Sequence, residues 1–401
     1  MLKNYRSLIG RDEEAEIQAL ADRLRGSSIL HVNSTKVGGG VAEILKSLVP
    51  LAKSVGLKAT WDVITGENEF YKVTKRIHNA LQGMDLALTA KMRERYLKVN
   101  QDYAKNISFD QDVVMIHDAQ PAAMIRYAPR NRAKWLWRCH IDLSKANQNY
   151  WRFIKQFVGR YDALIFSLEM YLKQDVRNKP AYIMTPCIDP LSEKNKELGE
   201  KQIRSLASKI GVDTNLPTVT QVSRFDPWKD PLGVIDTYRI LRRKIPNLQL
   251  LMVGGSADDD PEGAKWMKKI LKYVGKDQEN GIHILPNLND LEVNAVQRVS
   301  DVIIQKSIRE GFAITVTEAL WKGVPVVATR VGGIPLQVID GVTGYLIDSA
   351  EDASDRILSI LQAPDKGRRL GNQGKEHIRR NFLITGHLKH YLKVHLEIMP
   401  N

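Results

Sequence analysis

Short apolar runs alternate with segments of helical periodicity along the chain, and this alternation constrains the fold more than any other feature of the sequence. The predicted strands are 28–33, 59–65, 113–117, 135–141, 163–167 and 181–185 in a first series and 219–223, 249–253, 282–285, 302–305 and 325–329 in a second. Strands that alternate with helices predict a parallel sheet with helices on both of its faces. A polar stretch with two prolines separates the two series. The sequence therefore predicts an α/β chain of two doubly wound domains, over 1–188 and 189–381.

The charge balance leaves three classes of partner to consider. The 401 residues include 59 Lys and Arg against 46 Asp and Glu, which gives a net charge of +13. Such an excess suits nucleic acid, an anionic membrane surface or an anionic small substrate. The cations are scattered rather than clustered in a tail, and no uncharged apolar run approaches the length of a membrane span. We therefore expect a cytoplasmic protein that binds neither nucleic acid nor membrane, and whose substrates are small molecules.

The two cysteines, Cys139 and Cys187, exclude a disulfide framework and any multi-cysteine metal site. The histidines are scattered along the chain without the spacing of metal ligands. Trp135 and Trp137 alternate with their neighbours and are predicted to lie in the core. The sequence thus predicts chemistry that requires no metal and no cofactor.

A glycine triplet, Gly38–Gly39–Gly40, follows the first predicted strand and precedes a helix. Glycine lets a backbone approach a phosphate closely, and a helix N-terminus offers amide donors to an anion. The triplet matches neither a dinucleotide-binding nor a Walker pattern. A tight turn without a ligand therefore remains an alternative at this point.

Two cations follow the strand 219–223 of the second series, where ligands bind in open α/β sheets. Arg224 and Lys229 flank a turn that contains Pro227. An arginine can clamp a diphosphate with two hydrogen bonds, and a lysine acts on it as a point charge. The alternative is a pair of exposed loop cations.

Two glutamates eight residues apart follow the strand 302–305. Glu310 and Gly311 precede a predicted helix, and Glu318 lies inside it. The spacing alone is weak, because pairs of this kind arise by chance in a chain of this composition. Their placement, one before the helix N-terminus and one within the helix, makes both candidates for a ligand site. An exposed position is the alternative for Glu318.

Taken together, the Arg224 and Lys229 pair, the two glutamates and the later Gly332–Gly333 resemble the retaining glycosyltransferases of family 4. Three longer strings, 33–43, 117–123 and 135–144, resemble the trehalose glycosyltransferring synthases within that family. The resemblance implies a GT-B fold, with two Rossmann-like doubly wound domains facing across a cleft. It also implies that the last helix, over 382–401, joins the N-terminal domain.

For the donor, the resemblance implies a nucleoside diphosphate glucose, with ADP, UDP or GDP as the nucleotide. Arg224 and Lys229 would neutralise the phosphates, Glu318 would hold the ribose and Glu310 the glucose hydroxyls. Backbone groups would assist at Gly39, Gly40, Gly311, Phe312 and Ala313.

For the acceptor, the resemblance places His140 against the reacting sugar and Asp118 and Gln120 among the acceptor-facing groups. A lone histidine at the end of an apolar strand is otherwise more often a core residue. The implied reaction forms α,α-trehalose from the donor and free glucose, in either direction. The alternatives are a family 4 transferase making a sucrose-like product, glucosylglycerate or a glycolipid and, from a different class, a basic nucleic-acid-binding protein. The sequence leaves the oligomeric state open, a homodimer included.

Overall fold

In the part of the chain that the computed structural model describes, twelve strands form two parallel sheets of six strands each, and each sheet belongs to its own unit. The structure describes residues 1–129, 131–254, 263–278 and 280–399. The N-terminal unit holds Met1–Cys187 together with the chain from Ile384 onward. The C-terminal unit holds the described residues between 188 and 383.

The sheet of the N-terminal unit has the strand order β2-β1-β3-β4-β5-β6. Its strands are β1 (Ser28–Asn33), β2 (Lys58–Val63), β3 (Val113–His117), β4 (Lys134–Cys139), β5 (Ala163–Phe166) and β6 (Ala181–Ile183). Its first helices are α1 (Arg6–Asp22, interrupted at Gly10), α2 (Gly40–Ser54), α3 (Asn68–Leu81), α4 (Ala90–Asn106) and α5 (Gln148–Val158). β3 and β5 are buried along their whole length, as expected for a sheet covered on both faces.

The sheet of the C-terminal unit has the order β12-β11-β10-β7-β8-β9. Its strands are β7 (Thr218–Val222), β8 (Gln249–Gly254), β9 (Ile282–Pro286), β10 (Val302–Gln305), β11 (Val326–Thr329) and β12 (Gly344–Ile347). Its helices are α6 (Glu200–Lys209), α7 (Pro231–Arg242), α8 (Gly263–Val274), α9 (Asp290–Val299), α10 (Ile314–Trp321), α11 (Ile334–Gln337), α12 (Ala350–Leu361) and α13 (Pro364–Asn381).

The last helix, α14 (Ile384–Ile398), packs on α1 and α2 of the N-terminal unit. The segment that leads into α14 lies beside the segment that leaves the N-terminal unit after Cys187. The amide of Ile188 donates to the carbonyl of Phe382 at 2.9 Å and joins the two segments. The predicted helix over 382–401 includes residues 400 and 401, which lie outside the described residues. Within the described part, no helix is long and apolar enough to cross a membrane.

The predicted doubly wound α/β class is confirmed, and the predicted strands lie within a residue or two of the observed ones. One strand, β12, was missed. It holds only four residues and begins with Gly344, at which an added Cβ would lie 2.2 Å from the Val326 carbonyl oxygen. The close approach of β11 therefore requires the glycine, which weakens the strand signal in the sequence. Trp135 and Trp137 lie in the core, as predicted.

Candidate active site

In the C-terminal unit, the strand order reverses between β7 and β10, which pair in parallel. Ligands of open α/β sheets bind outside the carboxyl ends of the strands at such a switch point. The loops that leave β7 and β10 carry Arg224 with Lys229 and Glu310 with Gly311. The sheet therefore brings two segments that are distant in sequence to one edge.

Arg224 is held by a buried carboxylate. Its Nη2 lies 3.3 Å from Oδ2 of Asp226, a side chain with no exposed surface. Oδ1 of Asp226 accepts a hydrogen bond from the amide of Trp228 at 3.0 Å and so caps the short 3-10 helix Pro227–Lys229. The Arg224 side chain keeps 30% of its surface exposed. An anchored but accessible guanidinium is suited to bind an anion.

Lys229 pairs with Glu310 across the two loops, with Nζ 2.6 Å from Oε1. The same oxygen accepts hydrogen bonds from the Ser307 hydroxyl at 2.8 Å and from Nε2 of Gln305 at 3.2 Å. Lys229 keeps only 15% of its side chain exposed, and Glu310 only 5%. The alternative of an exposed loop cation is therefore wrong for Lys229, because the loop after β10 carries a partner, Glu310, that the spacing of the β7 loop alone does not reveal.

The residues Gly311, Phe312 and Ala313 lead into α10. Ala313 is the N-cap in the left-handed region, with φ 69°, and the carbonyl of Phe312 accepts a hydrogen bond from Nε2 of Gln337. Phe312 packs so closely on Gly333 that a Cβ there would lie 2.5 Å from its ring. This packing fixes the start of the helix, whose first amides lack helical partners and can donate to an anion.

Glu318 lies inside α10 and is only 3% exposed, so the alternative of an exposed position is wrong. Nε2 of Gln297 lies 3.5 Å from its Oε2. Burial lowers the pKa of nearby Lys322 to about 7, and the Glu318 carboxylate opposes that shift. Glu318 is thus a buried carboxyl group next to the buried amine of Lys322, which caps the C-terminal end of the same helix.

In the N-terminal unit, the corresponding edge carries the glycine triplet after β1. Gly38 and Gly39 have φ of 74° and 81°, and α2 begins at Gly40. A Cβ on Gly39 would meet nothing within 4 Å. The backbone conformation, rather than lack of space, therefore requires glycine at this position.

Asp118 and His140 lie together at the carboxyl ends of β3 and β4. The amide of His140 donates to Oδ1 of Asp118 at 2.7 Å, and Nε1 of Trp137 donates to the Asp118 carbonyl at 2.7 Å. Asp118 itself has φ 60°, an unusual conformation for a residue other than glycine. Gln120 follows two residues later, and its carbonyl accepts from Nδ2 of Asn100.

A chain of three histidines extends inward from His140. Nε2 of His140 lies 3.0 Å from Nδ1 of His117, and Nε2 of His117 lies 3.0 Å from Nδ1 of His31. Nε2 of His31 lies 3.0 Å from the hydroxyl of Tyr391 on α14. Burial lowers the pKa of His31 to about 3 and lowers the pKa values of His117 and His140 well below the usual range. All three rings are therefore neutral near neutral pH.

Sequence reasoning missed this chain because it treated the histidines as scattered. The available signal was that His31, His117 and His140 each lie near the carboxyl end of a predicted strand. Because β1, β3 and β4 are neighbours in the sheet in that order, these three histidines contact one another.

Arg138 is a buried cation beside these rings. It is 1% exposed, and its Nη1 donates to Nε2 of His387 at 3.0 Å. Nδ1 of His387 contacts the Thr185 carbonyl at 2.9 Å. Burial lowers the pKa of Arg138 to about 10, so the guanidinium stays charged near neutral pH. Within the described residues, no group of three or more His, Cys, Asp or Glu side chains is placed to hold a metal ion.

Comparison with known proteins matches a family model to each of the two units. Residues 31–173 match the family model of the trehalose synthase N-terminal domain, and residues 202–377 match that of the glycosyl transferases group 1. The trehalose synthase of Pyrococcus horikoshii is 49% identical over 98% of this chain and 95% of its own. The chain belongs to the trehalose synthase family of glycosyltransferases. The resemblance seen in the sequence is confirmed.

A more distant relative and a solved structure extend the comparison. The trehalose synthase of Rubrobacter xylanophilus is 43% identical over 99% of this chain and 97% of its own. The sucrose-phosphate synthase structure from Thermosynechococcus elongatus has a TM-score of 0.70 at 16% identity, over 93% of this chain and 99% of that one. At that identity the likeness shows the fold alone, which is the GT-B fold. The protein is therefore a trehalose-related glycosyltransferase.

Proposed function

We propose that this enzyme transfers glucose from a nucleoside diphosphate glucose to free glucose, with retention of configuration, and so forms α,α-trehalose in either direction. The observation that carries the proposal is the Lys229–Glu310 ion pair at the switch point of the C-terminal unit, next to Arg224 and the start of α10. The family membership supports a trehalose product.

The donor diphosphate is assigned to the C-terminal unit on electrostatic grounds. When the bond between glucose and diphosphate breaks, negative charge develops on the leaving phosphate. Donors that are already oriented toward that charge stabilise it without reorganising. Arg224 is oriented by Asp226, and amides of Gly311–Ala313 and the start of α10 lie at the same edge. These groups would supply the charge stabilisation without a metal or a cofactor.

The Lys229–Glu310 pair suits a site that binds both a phosphate and a sugar. An ammonium group has three hydrogens, so Lys229 can keep its bond to Glu310 while donating to a phosphate oxygen. The Glu310 carboxylate has several acceptor positions and can hold donor glucose hydroxyls beside that phosphate. Glu318, on the same helix that begins at this site, is the candidate for the ribose hydroxyls.

The sugar-facing groups are assigned to the N-terminal unit. Asp118, Gln120 and His140 follow β3 and β4 at one edge of that sheet, and the bond from the His140 amide fixes the Asp118 carboxylate. Carboxylate, amide and imidazole groups hydrogen-bond neutral hydroxyls in fixed patterns. With retention, the leaving phosphate would take the proton of the acceptor hydroxyl on the same face of the sugar.

A screen of donors tests this proposal. The purified protein is incubated with ADP-, UDP- or GDP-glucose and with glucose, in buffer that contains a chelator. We expect a neutral disaccharide whose mass equals that of two glucose molecules less one water and whose anomeric couplings show the α configuration at both carbons of its single linkage. No disaccharide with any donor, or a β linkage, would contradict the proposal, and a strict requirement for added divalent metal would contradict its metal-free part.

A further inference from the structure

Four side chains from four separate elements of the N-terminal unit form one continuous line of hydrogen bonds. The line runs from the Tyr391 hydroxyl on α14 through His31 on β1 and His117 on β3 to His140 after β4, with each of the three contacts 3.0 Å long. Neither the family models nor the proposed function assigns a role to the first three residues.

The rings in this line are neutral, and this constrains their hydrogens. Burial is the main cause of the low pKa values of His31, His117 and His140, and the charged Arg138 nearby lowers all three further. His387 and His395, which also pack near the line, have low pKa values through burial as well. A neutral imidazole carries one N–H, so each ring can donate on one side only and must accept on the other. The three hydrogen bonds therefore all point the same way.

Each direction leaves one buried donor without an acceptor, either the Tyr391 hydroxyl or Nδ1–H of His140, and access to a ligand decides between them. Tyr391 has no exposed surface, and within the described part of the chain its hydroxyl contacts only Nε2 of His31. If His31 donated to this hydroxyl, the phenolic hydrogen would be left buried without an acceptor, which costs about 1–3 kcal/mol. If Tyr391 donates instead, its hydrogen is used and His31 must carry its own hydrogen on Nδ1.

The other end of the line is a buried nitrogen without a partner. Nδ1 of His140 is itself buried and has no hydrogen-bond partner among the described residues, while other atoms of the residue reach the surface. With Tyr391 as the first donor, His31, His117 and His140 each carry hydrogen on Nδ1. The last of these N–H groups is then the unsatisfied donor, and a hydroxyl or water oxygen that reaches this edge of the sheet can accept from it, whereas no ligand can reach the phenolic hydrogen of the fully buried Tyr391.

We infer that Tyr391, His31 and His117 form a relay that fixes His140 as its neutral Nδ1–H tautomer, so that His140 offers a hydrogen-bond donor to a substrate hydroxyl. The first three are positioning residues that act through His140. The inference rests on the proposed function only in naming a sugar as the group that His140 meets.

A fixed neutral donor suits the proposed chemistry. The sugar ring becomes positive as the bond to the diphosphate breaks, so an imidazolium beside it would oppose the transition state. A neutral N–H orients a hydroxyl oxygen without adding a charge. Near neutral pH, a free imidazole prefers hydrogen on Nε2, so the relay would impose the less common form on all three rings.

Ring-nitrogen NMR of the ¹⁵N-histidine-labelled protein tests the relay without substrate. We expect His31, His117 and His140 to be neutral with hydrogen on Nδ1 at neutral pH, with His140 assigned by comparison with His140→Gln. His387 provides an internal reference, because Arg138 can only donate to its Nε2, which leaves the hydrogen on Nδ1. Hydrogen on Nε2 of His140, or a charged His140 ring, overturns the inference.

Tyr391→Phe tests the origin of the tautomer and keeps the ring in place. Without the phenolic donor, we expect the His140 hydrogen to move to Nε2 in a substantial fraction of molecules. The matched control is Tyr150→Phe, a buried tyrosine whose hydroxyl donates to the Ala87 carbonyl at 2.8 Å, and it should leave the His140 signals unchanged. An unchanged His140 tautomer in Tyr391→Phe overturns the relay. If that variant does not fold, the wild-type spectrum alone decides.

Turnover gives a second measurement for the same variants. We expect Tyr391→Phe to lower kcat by about 3- to 10-fold, the range of one neutral hydrogen bond, and Tyr150→Phe to stay within about twofold of wild type. A loss of turnover with an unchanged tautomer counts against the relay. If the wild-type protein makes no disaccharide, the proposed function fails, and the NMR spectrum still decides the relay.

Discussion

The carboxyl edges of the two sheets differ in their electrostatics: one carries charged side chains and the other carries neutral ones. In the C-terminal unit, the loops after β7 and β10 present charged groups held in ion pairs, Arg224 with Asp226 and Lys229 with Glu310. In the N-terminal unit, the loops after β3 and β4 lead to neutral imidazoles held in a line of hydrogen bonds. Both units are doubly wound sheets, so topology does not explain the difference.

The difference matches the chemistry proposed for each edge. A diphosphate is bound by charge, and paired carboxylates keep cations oriented before it arrives. Sugar hydroxyls are bound by directed hydrogen bonds, for which the position of each hydrogen matters more than net charge. Arg138 shows that the N-terminal unit contains a cation near its edge but keeps it fully buried against His387.

Mild acid should destabilise the N-terminal unit more than the C-terminal unit, and we expect this to be the largest difference between them. Burial lowers the pKa values of six histidines in the N-terminal unit, namely His31, His117, His140, His387, His390 and His395, but of one, His283, in the described part of the C-terminal unit. In the unfolded chain these six would bind protons near pH 6.5, whereas the folded unit binds them only at lower pH. The stability that the N-terminal unit gains from keeping these histidines neutral is therefore fully present above pH 6.5 and is lost as the pH falls below it. Each histidine contributes up to about 1.4 kcal/mol per pH unit.

Amide hydrogen exchange between pH 7.5 and 5.5, corrected for the intrinsic rate, would measure this loss. We expect amides of β1, β3 and α14 to lose protection while amides of β7 and β10 keep theirs. His377→Gln, at a half-buried position on α13 of the C-terminal unit, is the control and should leave the pH dependence of protection in the N-terminal unit unchanged. Equal loss of protection in both units would contradict the contrast drawn between them.

The two edges also differ in how far the sequence predicts them. The candidate groups of the C-terminal unit lie in two short segments, each directly after a predicted strand, so local pattern and family resemblance find them. The ion pair of Lys229 with Glu310 needs one further fact, that β7 and β10 are neighbours in the sheet. Strand order is a tertiary property that the separation of 81 residues does not reveal.

The relay of the N-terminal unit was not predictable at the same level. His31, His117 and His140 come from three strands, and Tyr391 comes from a helix 360 residues after His31. No local sequence pattern predicts that a buried polar side chain belongs to a hydrogen-bond network, because its partners are distant in sequence and are determined by tertiary packing. Of this line, the resemblance supplied only His140, with Asp118 and Gln120 as other acceptor-facing groups, whereas the residues behind His140 appear only in the folded unit.

Loss of the accessible cation should give the largest effect on turnover. We expect Arg224→Ala to lower kcat by about 10²- to 10³-fold, the effect of removing one donor to a charge that develops in the transition state. Arg204→Ala, which removes an exposed arginine paired with Glu200 in the same unit, should leave turnover unchanged. Steady-state kinetics with each donor measures both. Turnover of Arg224→Ala close to wild type with every donor would refute the phosphate assignment.

The buried ion pair of Lys229 with Glu310 should stabilise the C-terminal unit more than exposed ion pairs of the same unit do. Lys229→Met leaves the buried Glu310 carboxylate without its cation, and we expect a loss on the order of 3 kcal/mol in the free energy of unfolding. Adding Glu310→Gln to that variant should restore part of the loss. Urea unfolding followed by circular dichroism measures the cycle.

The exposed pair of Lys244 with Asp355 is the matched control in the same unit, and Lys244→Met should cost less than about 1 kcal/mol. Losses that simply add in the Lys229→Met, Glu310→Gln double variant would show that the two side chains do not stabilise each other. Lys229 would then be no different from a surface cation, and the electrostatic contrast between the units would rest on Arg224 alone.

The identity of the acceptor sharpens the comparison at the other edge. A phosphorylated acceptor would require cations oriented at the carboxyl edge of the N-terminal unit. The loop segments there, 33–40, 117–121 and 139–146, contain two lysines, Lys36 and Lys145, and both are exposed. They also contain Asp118 and the buried Asp142, which disfavour a second dianion. Arg138 offers no alternative because it is buried beneath the edge.

We therefore expect kcat/KM to be at least about tenfold higher for free glucose than for glucose 6-phosphate, the difference that about 1.4 kcal/mol produces. Supplying the donor with each acceptor separately, and separating products by charge, measures the ratio. Lys36→Ala and Lys145→Ala should leave the rate with glucose nearly unchanged, since a neutral acceptor needs no cation. Efficient formation of an anionic disaccharide phosphate, lost in either lysine variant, would mean that exposed lysines do the work that ion-paired cations do in the C-terminal unit. The two edges would then differ in how their charges are held rather than in whether they use charge.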